Sequence, residues 1–142
     1  MKLKNTLAIL LLLSTILITI ACGDSSVKEE VEATPKTTIE QIEAGLKTGD
    51  TAEFTESNGF AFVRALSVSD KESVAKTKLF QVAKILSKTE DVEKATINII
   101  GPTNKVLYKV TIDRAGLDSI DFDNGAPLDS VTNAAIKVIS QY

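Results

Sequence analysis

The chain has 142 residues, 16 basic and 19 acidic, with one cysteine, no histidine and no tryptophan. Lys2 and Lys4 precede a long apolar run, and without them 14 basic side chains face the 19 acidic ones, a net charge of −5. That balance argues against nucleic acid, whose phosphates need a basic face, and against a polybasic membrane contact; the missing histidine removes the commonest general base and metal ligand.

The N-terminus has the order of a secretory signal: the basic start, the apolar stretch Leu7 to Ala21, then a small residue before a cut. The run closes on Ile18-Thr19-Ile20-Ala21-Cys22, which resembles the lipobox of bacterial lipoproteins, with Thr19 standing where Leu is usual. In that family a lipid is attached to the cysteine thiol and the chain is cut just before it. The resemblance implies a signal peptide over residues 1–21, cleavage between Ala21 and Cys22, and Cys22 as the acylated first residue of the mature chain. It also implies palmitate-type acyl chains, the lipid bilayer as a partner, and a place at the extracytoplasmic face of the cell membrane. Each buried methylene adds about 0.8 kcal/mol and one acyl chain binds only marginally, so two or three make a stable anchor. The competing reading is an uncleaved transmembrane helix, for which the uncharged run of 18 residues, 5–22, is at the short edge.

Residues 22–36 read as the acylated cysteine and a flexible tether, rich in Ser, Glu, Lys and Thr. Residues 37–142 are enough for one domain, which must hold itself together by its apolar core because no second cysteine offers a disulfide. A first helix is expected from Thr38 to Thr48, with Thr37 and Glu40 at capping-box spacing, Ile39, Ile42 and Leu46 on one face, and Gly49 as a stop. Residues 51–68 admit two readings. Asn58-Gly59 between Phe54 and the alternating Phe60, Phe62 and Leu66 suits a hairpin, while Phe54, Ala61, Phe62, Ala65 and Leu66 also fit a helical face at the cost of one interior glycine.

A second helix is expected from Asp70 to Ser87. Ser69 and Glu72 have capping-box spacing, and Ala75, Leu79, Val82, Ala83 and Leu86 form the stripe, with Lys76, Lys78, Lys84 and Lys88 largely elsewhere. The period then changes to two. Ala95 to Ile100 and Val106 to Asp113 read as an antiparallel hairpin joined by Gly101-Pro102-Thr103-Asn104, with Val106, Tyr108, Val110 and Ile112 on one face and Lys109, Thr111 and Asp113 on the other. A last helix is expected after Pro127, carrying Leu128, Val131, Ala135, Val138 and Tyr142 on one side. The tract Asn104 to Asn124, with Tyr108-Lys109-Val110-Thr111-Ile112-Asp113-Arg114 and then Leu117 to Asn124, also resembles the ends of some uncharacterised lipoproteins of Gram-positive bacteria, a likeness that carries no known activity.

Candidate sites are few. Asp118, Asp121, Asp123, Asn124 and Asp129 are the densest set of oxygen ligands, but from Asp121 the fifth and sixth positions are Gly125 and Ala126, which fails the EF-hand pattern. The expectation is a turn whose Asp and Asn side chains bond nearby backbone, and no metal site. Phe60 and Phe62 are expected in the core, Arg64 and Arg114 in ion pairs, although either arginine could hold a carboxylate or phosphate. Ser69-Asp70-Lys71 and Ser87-Lys88 offer Ser–Lys chemistry without an accompanying motif. The whole reads as a small α+β domain, about three helices on an antiparallel hairpin-based sheet. No catalytic residue and no cofactor are assigned. The functional expectation is a non-enzymatic binding module for a protein or envelope component, not nucleic acid. The alternatives are a small-ligand or solute-binding lipoprotein, with a pocket near Arg64 or Arg114, and an envelope enzyme.

Overall fold

The structure, a computed structural model, describes residues 36–142; the signal segment, Cys22 and the tether as far as residue 35 lie outside the described residues. Thr37 opens helix α1 (Thr38–Gly45) with the expected capping box: its side chain accepts from the Glu40 N–H, and the Glu40 carboxylate accepts from the Thr37 N–H at 2.8 Å. The bond from the Thr37 N–H, foremost, holds Glu40 below the usual carboxylate range. The helix ends short of Thr48, because Leu46 is already extended, and Ile42 is its one fully buried residue.

Strands β1 (Thr51–Thr55) and β2 (Phe60–Leu66) form an antiparallel hairpin around a 3-10 turn at Glu56–Asn58, so the helical reading of residues 51–68 is set aside. Gly59 explains the outcome. It sits in the left-handed region at φ 59°, where a Cβ would come within 2.7 Å of the Asp91 carbonyl oxygen.

Helix α2 (Glu72–Ser87) carries the expected stripe, Ala75, Leu79, Val82, Ala83 and Leu86, all buried. Two details depart from expectation. The helix starts at Glu72 without a side-chain cap: Ser69 Oγ accepts from the Lys71 N–H, and Glu72 turns to Lys76 and Tyr108. Lys78 is buried too, held by a carboxylate from the turn before β1.

From α2 the chain crosses to β3 (Lys94–Ile100), parallel to β2, and returns as β4 (Val106–Asp113), antiparallel to β3. Their turn is built as expected around Pro102: the Asn104 N–H donates to the Gly101 carbonyl at 2.9 Å, and Asn104 takes the left-handed conformation at φ 60°. Tyr108, Val110 and Ile112 face the core, but Val106 does not. The register slips between Ile99 and Ile100, so that Leu107 is the extra residue and is buried, while Val106 is 38% exposed.

The C-terminal helix is the main correction. After a one-turn helix α3 (Arg114–Asp118), its place is taken by a second one-turn helix, α4 (Ser130–Ala134), and a fifth strand, β5 (Lys137–Ser140), antiparallel to β4. Val131 alone of the expected helical face is fully buried; Leu128, Val138 and Tyr142 are largely exposed. The β-branched run Ile136, Val138 and Ile139 completes the ladder that β4 leaves open, which outweighs a helical spacing with no partner to pack on.

The result is an α+β domain whose five strands run in chain order, β1-β2-β3-β4-β5, mixed at the β2/β3 pair and antiparallel elsewhere. Ile42, Leu79, Val82, Leu86, Leu117 and Val131 from the helices share one core with Ala61, Val63, Ala65, Ile97, Ile99, Val110 and Ile112 from the sheet. Fully burying each such Val, Leu or Ile contributes about 1.5–3 kcal/mol. All of these strand residues point to one face, and among the described residues the helices cover only that face.

Candidate functional site: the open face of the sheet

Each of the acidic residues weighed as an oxygen ligand is engaged by a neighbour. Asp118 pairs with Arg114 at 2.8 Å, Asp123 with Lys84 at 2.7 Å and Lys88 at 3.5 Å, and Asp129 with Lys76 at 2.6 Å. Asp121 accepts the backbone and side-chain N–H groups of Asn124 in the turn expected from sequence. The ammonium of Lys84 holds Asp123 below the usual carboxylate range, and Lys76, clamped by Asp129 and Glu72, is raised above the usual lysine range. These pairs tie α2 to the segment after α3.

Arg114 forms the expected ion pair and does more. Its guanidinium donates to the carbonyls of Ser87, Thr89 and Val92, fastening the end of α2 and the loop into β3. It is a structural clamp. The serines next to lysines are likewise spent on local bonds: Ser87 Oγ donates to the Lys84 carbonyl, and Ser69 Oγ accepts from Lys71 N–H.

The most buried ion pair joins Lys78 to Asp50, with Nζ 2.6 Å from Oδ2 and side chains 10% and 1% exposed. Asp50 also accepts the Lys47 and Leu66 N–H groups, so one carboxylate ties α2 to both ends of the first hairpin. An open cleft of about 250 Å³ beside it is lined by Leu66, Val68, Val74 and Thr77. A larger cleft of about 630 Å³ lies at the β1–β2 turn between Phe54, Glu56, Glu90 and Glu93. Neither of these clefts is lined by Arg64 or Arg114.

Phe60, Phe62 and Arg64 are placed differently from expectation. In β2 the small residues Ala61, Val63 and Ala65 point to the helices, and the alternation sends Phe60, Phe62, Arg64 and Leu66 to the uncovered face. There the two phenylalanines are half-buried among strand neighbours and take no part in the main core. Arg64 forms no ion pair with a described residue; its guanidinium donates to the Asn104 carboxamide at 3.1 Å.

Register across the sheet shows what else shares that face. One row runs Thr51, Arg64, Asn98, Lys109, Ile139; the next runs Glu53, Phe62, Thr96, Thr111, Lys137; a third runs Thr55, Phe60, Lys94, Asp113. The centre is polar: the Thr96 and Thr111 hydroxyls lie 3.1 Å apart, and the Asn98 carboxamide oxygen is buried without a partner. Around it stand Arg64, Lys94, Lys109 and Lys137, against Glu53 and Asp113 at the margins. With strands about 4.8 Å apart and same-face residues about 6.8 Å apart along a strand, the backbone positions of neighbouring members of the ring are separated by roughly 8–14 Å. The three lysines are exposed, and none of the four cations has a carboxylate partner among the described residues. On the helical side, by contrast, Lys76, Lys78, Lys84, Lys88 and Arg114 are all paired.

Lys94, Lys109 and Lys137 escaped the sequence reading because nothing links them along the chain; only the sheet order brings them together. The face therefore defines an α+β domain of a particular kind, closed by helices on one side and offering a cationic polar surface on the other. No protein-family model, curated protein or solved structure matches the chain.

Proposed function

We propose that this chain is a bacterial surface lipoprotein, anchored in the membrane through acylated Cys22, whose domain is a non-enzymatic binding module for an envelope component. The observation that supports a binding role most is the uncovered sheet face, where unpaired cations gather around a polar centre. Lys76, Lys78, Lys84, Lys88 and Arg114 are paired. The four cations gathered on this face, like the scattered Lys36, Lys47, Lys71 and Lys105, have no carboxylate partner among the described residues, which keeps the charge of the face available to a partner. The anchoring half rests on the sequence alone: the basic start, the apolar run and Ile18-Thr19-Ile20-Ala21-Cys22. Among the described residues no helix is long and apolar enough to cross a membrane; within this proposal the lipid on Cys22 makes the attachment.

Cys22→Ala tests the anchor, because that thiol is the only one in the chain. The wild type is expected in the membrane fraction as a chain that begins at Cys22 and carries the added mass of its acyl groups. The variant should be found unacylated, with processing before residue 22 lost. Mass spectrometry of both fractions decides it, and a wild-type chain that still carries Met1 to Ala21 without lipid would overturn the anchoring.

A further inference from the structure

We propose that the partner of the open sheet face is a polyol-phosphate polymer, a flexible chain of phosphodiesters and hydroxyl-bearing units. The inference rests on reading the domain as a surface binding module and goes further, to the chemistry of what it binds. Charge selects an anion. The face carries Arg64, Lys94, Lys109 and Lys137 against Glu53 and Asp113, in a chain whose overall charge is negative. A cationic surface of this kind attracts polyanions and repels the same face of another copy of the chain.

The kind of cation narrows the anion. Three of the four are lysines, compact point charges on flexible stems, which suit phosphates whose positions vary. Planar bidentate recognition of fixed carboxylates would call for arginine instead. Lysine is also depleted from protein–protein interfaces, which weighs against a folded protein as the occupant. The backbone positions of the four, roughly 8–14 Å apart around the ring, spread their charge over a broad surface that suits successive groups of a polymer. Between the cations the Thr96 and Thr111 hydroxyls mark a centre that matches hydroxyls on the ligand.

A bilayer surface fits less well. The apolar residues of this face do not stand proud of it: Phe60 and Phe62 are half-buried and Ile100 is 5% exposed, which leaves little to insert between lipids. Leu66, Val106 and Ile139, the more exposed ones, lie at the margins of the polar centre.

The test uses the full chain in neutral detergent micelles and fluorescently labelled poly(glycerol phosphate). Binding is read by fluorescence anisotropy at two salt concentrations, and the assay does not depend on whether Cys22 is acylated. Saturable binding that weakens with salt, and that falls about tenfold or more in Lys109→Gln plus Lys137→Gln, supports the proposal. Lys88→Gln, on the helical side, should leave it unchanged; circular dichroism and melting confirm that each variant is folded. Absence of binding overturns the proposal, as does equal loss in the Lys88 variant. So does tighter binding of single-stranded DNA of equal charge, or binding only to micelles doped with phosphatidylglycerol. Polymer binding by a chain whose Cys22 proves unacylated supports the face while overturning the anchor, which separates the two claims.

Discussion

Val110→Asp should be the most damaging single substitution in the sheet, destabilising the domain by about 3–5 kcal/mol, whereas Lys109→Asp, one residue away, should cost less than about 1 kcal/mol. Val110 is fully buried in the middle of the shared core, opposite Ile97 on β3 and Val138 on β5, with the α2 stripe on the same side. A carboxylate there has no cation within the core to pair with and must either stay buried and charged or take up a proton, both unfavourable. Lys109 points to the uncovered face, where an aspartate remains in water. Denaturant unfolding separates the two: the midpoint should fall steeply for Val110→Asp and barely for Lys109→Asp, with similar slopes if both unfold in one step. Equal losses would mean that the two faces of β4 are assigned wrongly.

Asp50→Ala should cost nearly as much, about 3–5 kcal/mol, because it removes one partner of a buried pair and leaves the other charge uncompensated. The loss is compounded by two backbone N–H groups, of Lys47 and Leu66, that the same carboxylate accepts. Lys78→Met added to Asp50→Ala should recover part of that stability, since the stranded ammonium is replaced by an apolar side chain on the edge of the α2 stripe. Urea unfolding of the two single variants and the double variant provides the cycle. A loss below about 1 kcal/mol for Asp50→Ala would place the pair in solvent rather than in the domain.

The elements with strong local patterns were legible in the sequence. The Thr37–Glu40 box, the α2 stripe and the β3–β4 turn at Pro102 each depend on residues within a few positions of one another. The errors have a common origin in partners that lie far along the chain. Ile136, Val138 and Ile139 could have served a helix, and β5 forms because β4 presents an open edge. Val106 left the core because of one extra residue at the bulge, which periodicity cannot register. Lys78 looked like a solvated lysine until the turn at Asp50 folded against it.

Phe60 and Phe62 show the same limit for the site. Their size suggests the core, yet the helices leave room over β2 only for Ala61, Val63 and Ala65, and the alternation then forces the aromatics outward. Net charge has a similar limit. A value of −5 for the chain from Cys22 onward argued against nucleic acid and a polybasic membrane contact, but a sum over residues says nothing of their distribution. Sheet order gathers Arg64, Lys94, Lys109 and Lys137 from four different strands onto one surface, where the local balance is positive.

The central claim is that this surface is occupied when the protein stands on the cell, and amine labelling tests it most directly. Intact cells and purified protein would be treated with the same membrane-impermeant, amine-reactive reagent, and the modification of each lysine read by peptide mass spectrometry. Lys94, Lys109 and Lys137 should be markedly less reactive on cells than in the purified protein, while Lys88, exposed on the helical side, should react alike in both. Comparing each lysine with itself removes differences in intrinsic reactivity. Equal labelling of all four in both samples would contradict an occupied sheet face.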